Sequence, residues 1–291
     1  MKRILITAKH SYIGGALAGW LARFPQKYQV DCISQRTEAW KETDFSGYDA
    51  VVDVTGIAHV DVRETDADTE REYYRVNCEL AVETAKLARE AGVKQFVFMS
   101  SIIVYGDSAP VGSTKRITAE TIPAPAGFYG KSKLLAEQKL FDLETELFRV
   151  AAVRAPMVYG AGCGGNYPKL GKIAKCSLVF PKVRNERSMI YIEHLCEFLR
   201  LLLEHGDRGV FCPQNREWVQ TGEMVRLISH AHKLPLVLVP GFERILRRMA
   251  KYNKYVNKVF GNLAYEPELS DIYGNRYQLY SFAKTIWRTE Q

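Results

Sequence analysis

The feature that most constrains this chain is a regular alternation of short apolar runs with segments of helical pattern. Between two of the runs, apolar positions recur at intervals of three and four from Tyr73 to Ala91, which indicates an amphipathic helix. Strands that alternate with helices predict an α/β fold with a doubly wound parallel sheet and right-handed crossovers. The runs with the composition of buried strands are 3–7, 28–33, 49–54, 95–99 and 149–154.

Composition excludes several classes of protein. No segment approaches the roughly 20 apolar residues of a membrane-spanning helix, and the N-terminus lacks a signal-peptide pattern, so we expect a cytoplasmic protein. The 6 cysteines are scattered without the spacing of a metal site, so we expect no metal. The net charge of +7 is dispersed apart from one C-terminal region. It favours an anionic small molecule, such as a nucleotide, over nucleic acid.

The turn after the first strand has the position of a phosphate-binding loop. A strand, a tight turn and a helix N-terminus together form the usual cradle for a dinucleotide pyrophosphate. The turn is similar to a G-x-x-G-x-x-G motif in which Ala8 and Ser11 replace the first two glycines and Gly14 remains. Because Ala8 carries a Cβ where the motif approaches phosphate, the sequence predicts weakened cofactor affinity or, alternatively, an ordinary βα turn.

Residues that follow the next two strands also bear on a ligand, because ligands of such sheets lie beyond the carboxyl ends of the strands. After the second strand come Ser34 and Arg36, where an NAD-binding fold often has an acid for the ribose. Arg36 instead favours the 2′-phosphate of NADP, unless it is a plain surface residue. After the third strand, Thr55 and Gly56 form a small-residue turn that lets the backbone approach a ligand.

Tyr129 and Lys133 carry chemistry that a packed core does not need. They are four residues apart at the start of a helical pattern, so both side chains lie on one helix face. An ammonium beside a phenol lowers the phenol pKa from about 10 toward that of a usable general base. The spacing alone is equally compatible with two surface residues, so the interpretation depends on the rest of the chain.

Several motifs in one order resemble the extended short-chain dehydrogenase/reductase superfamily and, within it, the NAD-dependent epimerase/dehydratase family. The resemblance covers almost the whole chain. Within the family, the chain is similar to the UDP-sugar 4-epimerases of bacterial surface-polysaccharide pathways. The motifs that carry it are Ser-Ser-Ile-Ile-Val-Tyr-Gly at 100–106, Tyr-Gly-Lys-Ser-Lys at 129–133, Arg-Ala-Pro-Met-Val-Tyr-Gly at 154–160, Arg-Ser-Met-Ile-Tyr-Ile at 187–192, and earlier Asp44-Phe45 and Asn77.

The resemblance implies roles for individual residues. Tyr129 would be the acid or base on the sugar hydroxyl, Lys133 would bind the nicotinamide ribose and lower the Tyr129 pKa, and Ser101, rather than Ser100, would bind the reacting oxygen. The other implied cofactor contacts are Ala8, Ser11, Tyr12, Ile13 and Gly14 along the pyrophosphate, Asp44 and Phe45 at the adenine, and Thr55, Gly56 and Asn77 along the cofactor's path. The implied substrate contacts are Asn166, Phe180 and Arg187 at the nucleotide diphosphate, and Met157, where many relatives have Asn near the sugar.

The resemblance also implies a domain organisation and an assembly. We expect a Rossmann-type dinucleotide-binding domain at 1–160, to which 187–212 returns. The remainder of 161–291 is expected to form a smaller C-terminal substrate-binding lobe. The cofactor is NAD or NADP, the substrate is a nucleotide sugar such as a UDP-sugar, and a homodimer is one assembly that the resemblance implies.

One departure from the family pattern bears on the reaction. Sugar-nucleotide 4,6-dehydratases have Thr-Asp-Glu where this chain has Ser101-Ile102-Ile103, and isoleucine cannot transfer protons. Dehydration is therefore not expected. A nucleotide-sugar 4-epimerase is the leading hypothesis, and an NADPH-dependent keto-sugar reductase is the alternative. A non-catalytic dinucleotide sensor on the same fold is a third hypothesis, against which the joint presence of Ser101, Tyr129 and Lys133 argues.

The C-terminal segment 242–260 combines six basic residues with seven apolar ones in a helical pattern. Such a basic amphipathic helix either packs its apolar side on the protein and solvates its charges, or lies on an anionic membrane. We predict one helix over 242–260 and the first of these arrangements, with the membrane contact left open.

Overall fold

The computed structural model of the protein describes residues 1–58 and 67–291. Its strands are β1 Lys2–Ile6, β2 Tyr28–Cys32, β3 Ala50–Asp53, β4 Gln95–Ser101, β5 Arg116–Ile117, β6 Arg149–Ala155, β7 Met157–Tyr159, β8 Val179–Pro181, β9 Met189–Tyr191, β10 Gly209–Phe211, β11 Val237–Val239 and β12 Ala264–Tyr265. Its α-helices are α1 Tyr12–Leu21, α2 Ala67–Tyr74, α3 Leu80–Glu90, α4 Phe128–Phe141, α5 Asn166–Cys176, α6 Ile192–His205, α7 Thr221–Ala231, α8 Glu243–Ala250, α9 Lys254–Phe260 and α10 Phe282–Thr289.

The chain divides into two compact units. The first unit comprises Met1–Gly106, Ile122–Ala155 and Leu195–Pro213. The second unit comprises Asp107–Thr121, Pro156–His194 and Gln214–Gln291. The chain therefore returns to the first unit within α6. The assignment of cofactor and substrate to separate domains concerns ligands and stays a prediction.

The first unit is built on a parallel sheet with the strand order β10-β6-β4-β3-β1-β2 in the described residues. Every neighbouring pair is parallel, with Ile4 opposite both Val30 and Ala50, and Phe98 opposite both Asp53 and Ala152. Strand β1 has β2 on one side and β3 on the other, so the chain reverses its direction of winding there. Ligands of such sheets bind beyond the carboxyl ends at this reversal. The predicted fold class is confirmed.

Helices cover both faces of this sheet. On one face, α3 and α4 pack on the strands through a hydrophobic core whose members include Ala85, Leu140, Val51, Phe96 and Val150. On the other face, α1 is joined to α6 by a hydrogen bond from Trp20 Nε1 to Glu197 at 2.9 Å. Burial of apolar side chains on both faces explains why these strands are almost continuous apolar runs.

The helical pattern that begins at Tyr73 is confirmed, but the helix is not regular. Residues Arg75–Glu79 form a π-helical turn between α2 and α3. One extra residue in such a turn changes which side chains face the sheet, and π-turns occur often at functional sites. Asn77, a predicted cofactor contact, lies in this turn and is completely buried.

The second unit contains three two-stranded parallel pairings in the described residues, β5 with β12, β7 with β9, and β8 with β11. Its interior is rich in aromatic side chains: the ring of Tyr159 stacks on Tyr167 at a centroid distance of 5.5 Å and contacts Phe282 edge-on. Asn215 ties this interior together, because its Nδ2 donates to the Tyr159 hydroxyl at 2.8 Å and its Oδ1 accepts from the Tyr191 backbone N–H.

The segment 242–260 is not one helix, contrary to the sequence-based expectation. Helix α8 ends at Ala250 and α9 begins at Lys254, with Asn253 capping α9 by accepting a hydrogen bond from the Tyr255 N–H. Asparagine is a strong N-cap residue, and it favours a new helix start over continuation of the first helix. Among the helices described at 1–58 and 67–291, none has the length and apolar character required to cross a bilayer.

Candidate active site

Tyr129 and Lys133 lie on the first turns of α4, as the spacing predicts. Gly130 between them sets how closely this helix approaches the turn after β4. A Cβ on Gly130 would lie 2.8 Å from the Ile103 carbonyl oxygen and 2.8 Å from Pro125 Cβ. Both contacts are shorter than side chains tolerate, so only glycine allows the helix to lie here.

Ser101 and Ser100 occupy opposite sides of β4, because successive side chains of a strand alternate. The Ser101 hydroxyl is hydrogen-bonded to the Tyr129 phenol, and it also caps the turn Ile102–Tyr105 by accepting from the Ile103 N–H. The Ser100 hydroxyl instead donates to the Glu137 carboxylate in the protein interior. The structure thus brings Ser101, and not Ser100, to the predicted acid-base residue.

Burial raises the pKa of the Tyr129 phenol, and the hydrogen bond from Ser101 lowers it only in part. This differs from the expectation that Lys133 lowers the phenol pKa. The reason is where the ammonium lies: Lys133 Nζ donates to the Thr55 carbonyl oxygen at 3.3 Å and lies 4.4 Å from the centre of the Phe98 ring. In this arrangement Lys133 serves the loop after β3 rather than the phenol.

Lys133 is itself a buried cation, with 3% of its surface exposed. Desolvation lowers its pKa to about 8, and the negative charge of Asp53 acts in the opposite direction. Because this pKa lies close to physiological pH, the protonated fraction of Lys133 depends on the groups around it.

Asp53 is the residue of this site that the sequence analysis missed. It ends β3, is completely buried and accepts a hydrogen bond from the Thr7 hydroxyl at 2.6 Å through Oδ1. Its Oδ2 has no hydrogen-bond partner in the described residues. Burial raises the pKa of Asp53, while the charge of Lys133 lowers it. The available signal was an acid enclosed by the valines of the apolar run 49–54, a position at which an unpaired charge is costly.

Thr55 and Gln35 extend this polar network across the carboxyl ends of three strands. The Thr55 hydroxyl donates to Gln35 and lies 2.9 Å from the Thr7 hydroxyl, and Gln35 Nε2 donates to Thr84 at 2.6 Å. The network joins the ends of β1, β2 and β3 and fixes the loop that carries Thr55 and Gly56.

Asn77 holds the same loop from the π-helical turn. It accepts from the Ile57 N–H at 2.8 Å, donates to the Ile57 carbonyl at 3.0 Å and donates to Ser132 of α4 at 3.1 Å. Gly56 is pressed between these groups, since a Cβ there would lie 3.0 Å from Asn77 Oδ1 and 3.1 Å from Lys133 Nζ. Predicted cofactor residues from three elements are therefore in mutual contact.

The turn after β1 keeps the backbone of a glycine-rich loop despite its alanine. Ala8 has a φ of 52°, in the left-handed region that glycine occupies at little cost. Ser11 caps α1 by accepting from the Gly14 N–H at 3.0 Å. A Cβ on Gly14 would lie 2.8 Å from Ser11 Oγ and 3.0 Å from the Ala8 carbonyl oxygen. Tyr12 and Ile13 form the first turn of α1, the end whose dipole attracts phosphate.

The remaining predicted cofactor residues lie near the ends of β2 and before β3. Arg36 is exposed, and its N–H lies 3.5 Å from the Ser34 hydroxyl. Asp44 is exposed and accepts two hydrogen bonds from Ser46, which lower its pKa. The Phe45 side chain is 3% exposed and belongs to the hydrophobic core, so only its backbone faces outward.

The predicted substrate residues other than Ser101 lie in the second unit. Arg187 is the most informative: it is half-buried, it donates to the Gly261 carbonyl at 3.3 Å, and it forms no salt bridge within the described part of the chain. Burial lowers its pKa to about 10. Phe180 is buried, and the centroids of its ring and the Phe260 ring are 5.6 Å apart. Asn166 is the first residue of α5, and Met157 is the first residue of β7.

Comparison with known proteins agrees with this geometry. The sequence model of the NAD dependent epimerase/dehydratase family matches residues 12–211. The chain is 32% identical over 219 residues to a UDP-glucose 4-epimerase of Vibrio cholerae, which covers 73% of this chain and 65% of that protein. The chain spans 65% or less of the length of four curated relatives that it matches.

Two solved structures share the fold over nearly the full length of both chains. One is the human epimerase family protein SDR39U1 with NADPH, with a TM-score of 0.76, 17% identity and 99% of each chain covered. The other is the UDP-glucuronic acid 4-epimerase of Bacillus cereus with NAD, with a TM-score of 0.75, 14% identity and coverage of 99% and 97%. At these identities the likeness concerns the fold. The family model decides the classification: this chain belongs to the NAD-dependent epimerase/dehydratase family.

Proposed function

We propose that the protein is a nucleotide-sugar 4-epimerase that acts on a UDP-hexose or UDP-N-acetylhexosamine with NAD or NADP. The observation that carries the proposal is the grouping of Ser101, Tyr129 and Lys133 at the carboxyl end of β4, with Thr55 and Gly56 held against Lys133. A binding or sensing protein has no need for a half-buried phenol that is hydrogen-bonded to a serine and lies one helical turn from a buried lysine.

The residues around the reversal between β1 and β3 fit a dinucleotide. Gly14 and Gly56 each allow a close approach of neighbouring protein atoms that a Cβ would obstruct, so the two loops stay tight. The left-handed backbone of Ala8 keeps the tight turn that phosphate approach requires. Ser11 caps α1 at the Gly14 N–H, the third residue of the helix. Lys133 and Thr55 would hold the nicotinamide ribose, and Tyr12 and Ile13 would hold the pyrophosphate.

A bound, oxidised nicotinamide dinucleotide would supply a hydride acceptor for C4 and a positive ring charge. Tyr129 would take the proton of the 4-hydroxyl and, once the keto sugar has turned and its C4 has regained hydrogen on the opposite face, would return the proton to the same oxygen. Ser101 donates to the same oxygen and keeps it within reach of the phenol. Such a cycle needs one acid-base group, and Ile102 and Ile103 provide no second one.

Arg187 supports the substrate class. Among residues 1–58 and 67–291, the half-buried Arg187 guanidinium donates to one backbone carbonyl and leaves most of its donors for an anion. A diphosphate accepts a forked pair of hydrogen bonds from such a group. Relatives with UDP-sugars in their names agree with this assignment. The sugar itself depends on residues such as Met157, whose thioether offers no strong hydrogen bond to a hydroxyl.

A second candidate is an NADPH-dependent keto-sugar reductase, which Arg36 favours. It is exposed just beyond β2, where an acid for the ribose of NAD is absent from the sequence and a guanidinium suits a 2′-phosphate. In this reaction Tyr129 would donate one proton to the oxygen of the keto sugar, without the earlier removal of a proton that the epimerase cycle requires.

Two measurements separate the candidates. An epimerase regenerates its cofactor, so the purified protein should turn over a UDP-sugar with only catalytic dinucleotide. A protein that consumes one NADPH for each keto sugar, and shows no epimerisation, is the reductase. Arg36→Ala should weaken NADP binding more than NAD binding, and an equal loss for both would remove the argument for the 2′-phosphate.

A further inference from the structure

Helix α8 exposes an apolar stripe on the side away from the core of the second unit. Phe242, Ile245, Met249 and Tyr252 are 39%, 55%, 49% and 86% exposed. Ile245 and Met249, four residues apart, lie on one face of α8. Phe242 and Tyr252 flank the two ends of the helix, each three residues from the nearer of this pair. Leu246, on the neighbouring inner side, is buried. We call the four exposed side chains the outer stripe.

A basic stripe runs beside the outer stripe. Arg244, Arg248 and Lys251 are exposed and recur at intervals of four and three, so they form a second face about 60° wide next to the first. The segment 242–260 holds six basic residues against one acid, Glu243, which lies 3.9 Å from Arg247.

A cavity of about 550 Å³ lies at the start of α8. Lys182, Arg184 and Arg244 contribute three cations to its lining, with Glu243 as the acid. A space of this kind suits a phosphate group, because Arg and Lys side chains from separate segments converge on it. The outer stripe, the basic stripe and this cavity are continuous along residues 240–252.

We propose that this surface lies on an anionic lipid bilayer, with the outer stripe at the boundary of headgroups and acyl chains and the basic stripe on lipid phosphates. Four neighbouring large apolar side chains are costly to leave in water. A membrane surface provides apolar and anionic layers a few ångströms apart, in the order that the two stripes present. The cavity would take one lipid phosphate headgroup.

Charge argues against a second copy of this chain as the occupant, and the outer stripe argues against nucleic acid. A second copy that bound through the same surface would bring the basic stripe close to its own copy, and like charges repel. Nucleic acid would satisfy the arginines and Tyr252, but it offers no apolar partner for Ile245 and Met249. The bilayer is the one partner that uses both stripes.

The test is vesicle sedimentation of the full chain. Vesicles of phosphatidylcholine with about 30% phosphatidylglycerol should bind the protein at low salt, and phosphatidylcholine vesicles should bind it far more weakly. Arg244→Gln/Arg248→Gln/Lys251→Gln should weaken binding on the order of 100-fold, since each basic residue contributes about fivefold at such a surface. Ile245→Ser/Met249→Ser/Tyr252→Ser should weaken it at least as strongly.

Matched controls keep the proposal falsifiable. Lys86→Gln/Arg89→Gln/Lys172→Gln removes the same charge from positions elsewhere on the chain and should bind as the unaltered protein does. Equal binding to both kinds of vesicle, or an equal loss in this control, would overturn the proposal. It would also be overturned if the apolar variant dissociated a dimer in lipid-free solution, or if RNA bound as tightly as anionic vesicles and competed with them. Thermal melting of each variant excludes misfolding as the cause.

Discussion

Lys133 Nζ donates a hydrogen bond to the Thr55 carbonyl oxygen across 3.3 Å, so the helix that carries Tyr129 is joined to the loop after β3 by a buried cation. Gly56, the next residue of that loop, leaves room for the ammonium. The arrangement places the lysine against the loop after β3 rather than against the phenol.

The charge of Lys133 should depend on Asp53. Because the Asp53 carboxylate raises the Lys133 pKa, which burial has lowered to about 8, Asp53→Asn should lower that pKa further. If turnover requires the ammonium, the alkaline limb of the pH–rate profile should move to lower pH, and the acid side should stay in place. Asp142→Asn, which removes a carboxylate at the end of α4, should leave the profile unchanged. An unmoved alkaline limb in Asp53→Asn would contradict this coupling.

Ala8 should be a site where glycine improves the protein. Its φ of 52° costs a non-glycine residue roughly 1 kcal/mol, so Ala8→Gly should raise the free energy of unfolding by about 1 kcal/mol and tighten dinucleotide binding. Ala18→Gly, in the regular part of α1, should destabilise by about the same amount. Urea unfolding and dinucleotide titration measure both effects. A destabilised Ala8→Gly would show that the turn has a different backbone.

Gly130 should tolerate no side chain. A Cβ at this position would lie 2.8 Å from the Ile103 carbonyl oxygen, so Gly130→Ala should displace the start of α4 and reduce turnover by at least about tenfold while the protein stays folded. Gly19→Ala is the control, because a Cβ at Gly19 meets no atom within 4 Å and should stabilise α1 by about 1 kcal/mol. Full activity in Gly130→Ala would mean that Tyr129 does not need this close approach.

The buried pair of Glu137 and Arg154 should be a main support of the first unit. Arg154 Nη2 lies 2.6 Å from Glu137 Oε2, and Arg154 Nη1 donates to the Tyr105 hydroxyl at 2.6 Å. Glu137→Gln leaves a buried guanidinium without its counter-charge and should cost about 3–5 kcal/mol of unfolding free energy. Glu223→Gln, in the exposed pair with Arg226, should cost less than about 1 kcal/mol. Similar losses for both variants would refute a special role for the buried pair.

Sequence pattern predicted the architecture because its signals are local. Apolar runs, helical spacing and residues that follow strands are fixed by short stretches of chain, and the predicted doubly wound sheet and family are confirmed. The choice of Ser101 over Ser100 follows from strand alternation once the register of β4 is known. The division of the remaining predicted contacts between cofactor and substrate stays a prediction.

What the sequence did not predict depends on packing between distant segments. The lowered pKa of Lys133 arises from burial of its side chain on α4. The Asp53 carboxylate, at the end of β3, raises that pKa. Phe45 has its side chain in the same hydrophobic core cluster as Trp40 and Val76, which come from other segments of the chain, and its implied adenine contact stays a prediction. The break between α8 and α9 comes from a side-chain cap at Asn253 that helical periodicity does not register.

The most direct test of the central claim is the conversion of UDP-sugars in D₂O with catalytic dinucleotide, followed by NMR of the products. The account predicts a C4 epimer whose C4 hydrogen is protium, because the hydride that leaves the sugar is the one that returns. Tyr129→Phe should lower turnover by at least about 100-fold with UDP binding unchanged, and Tyr73→Phe, whose ring lies 6.4 Å away, should stay active. Deuterium at C4, or an active Tyr129→Phe variant, would contradict the account.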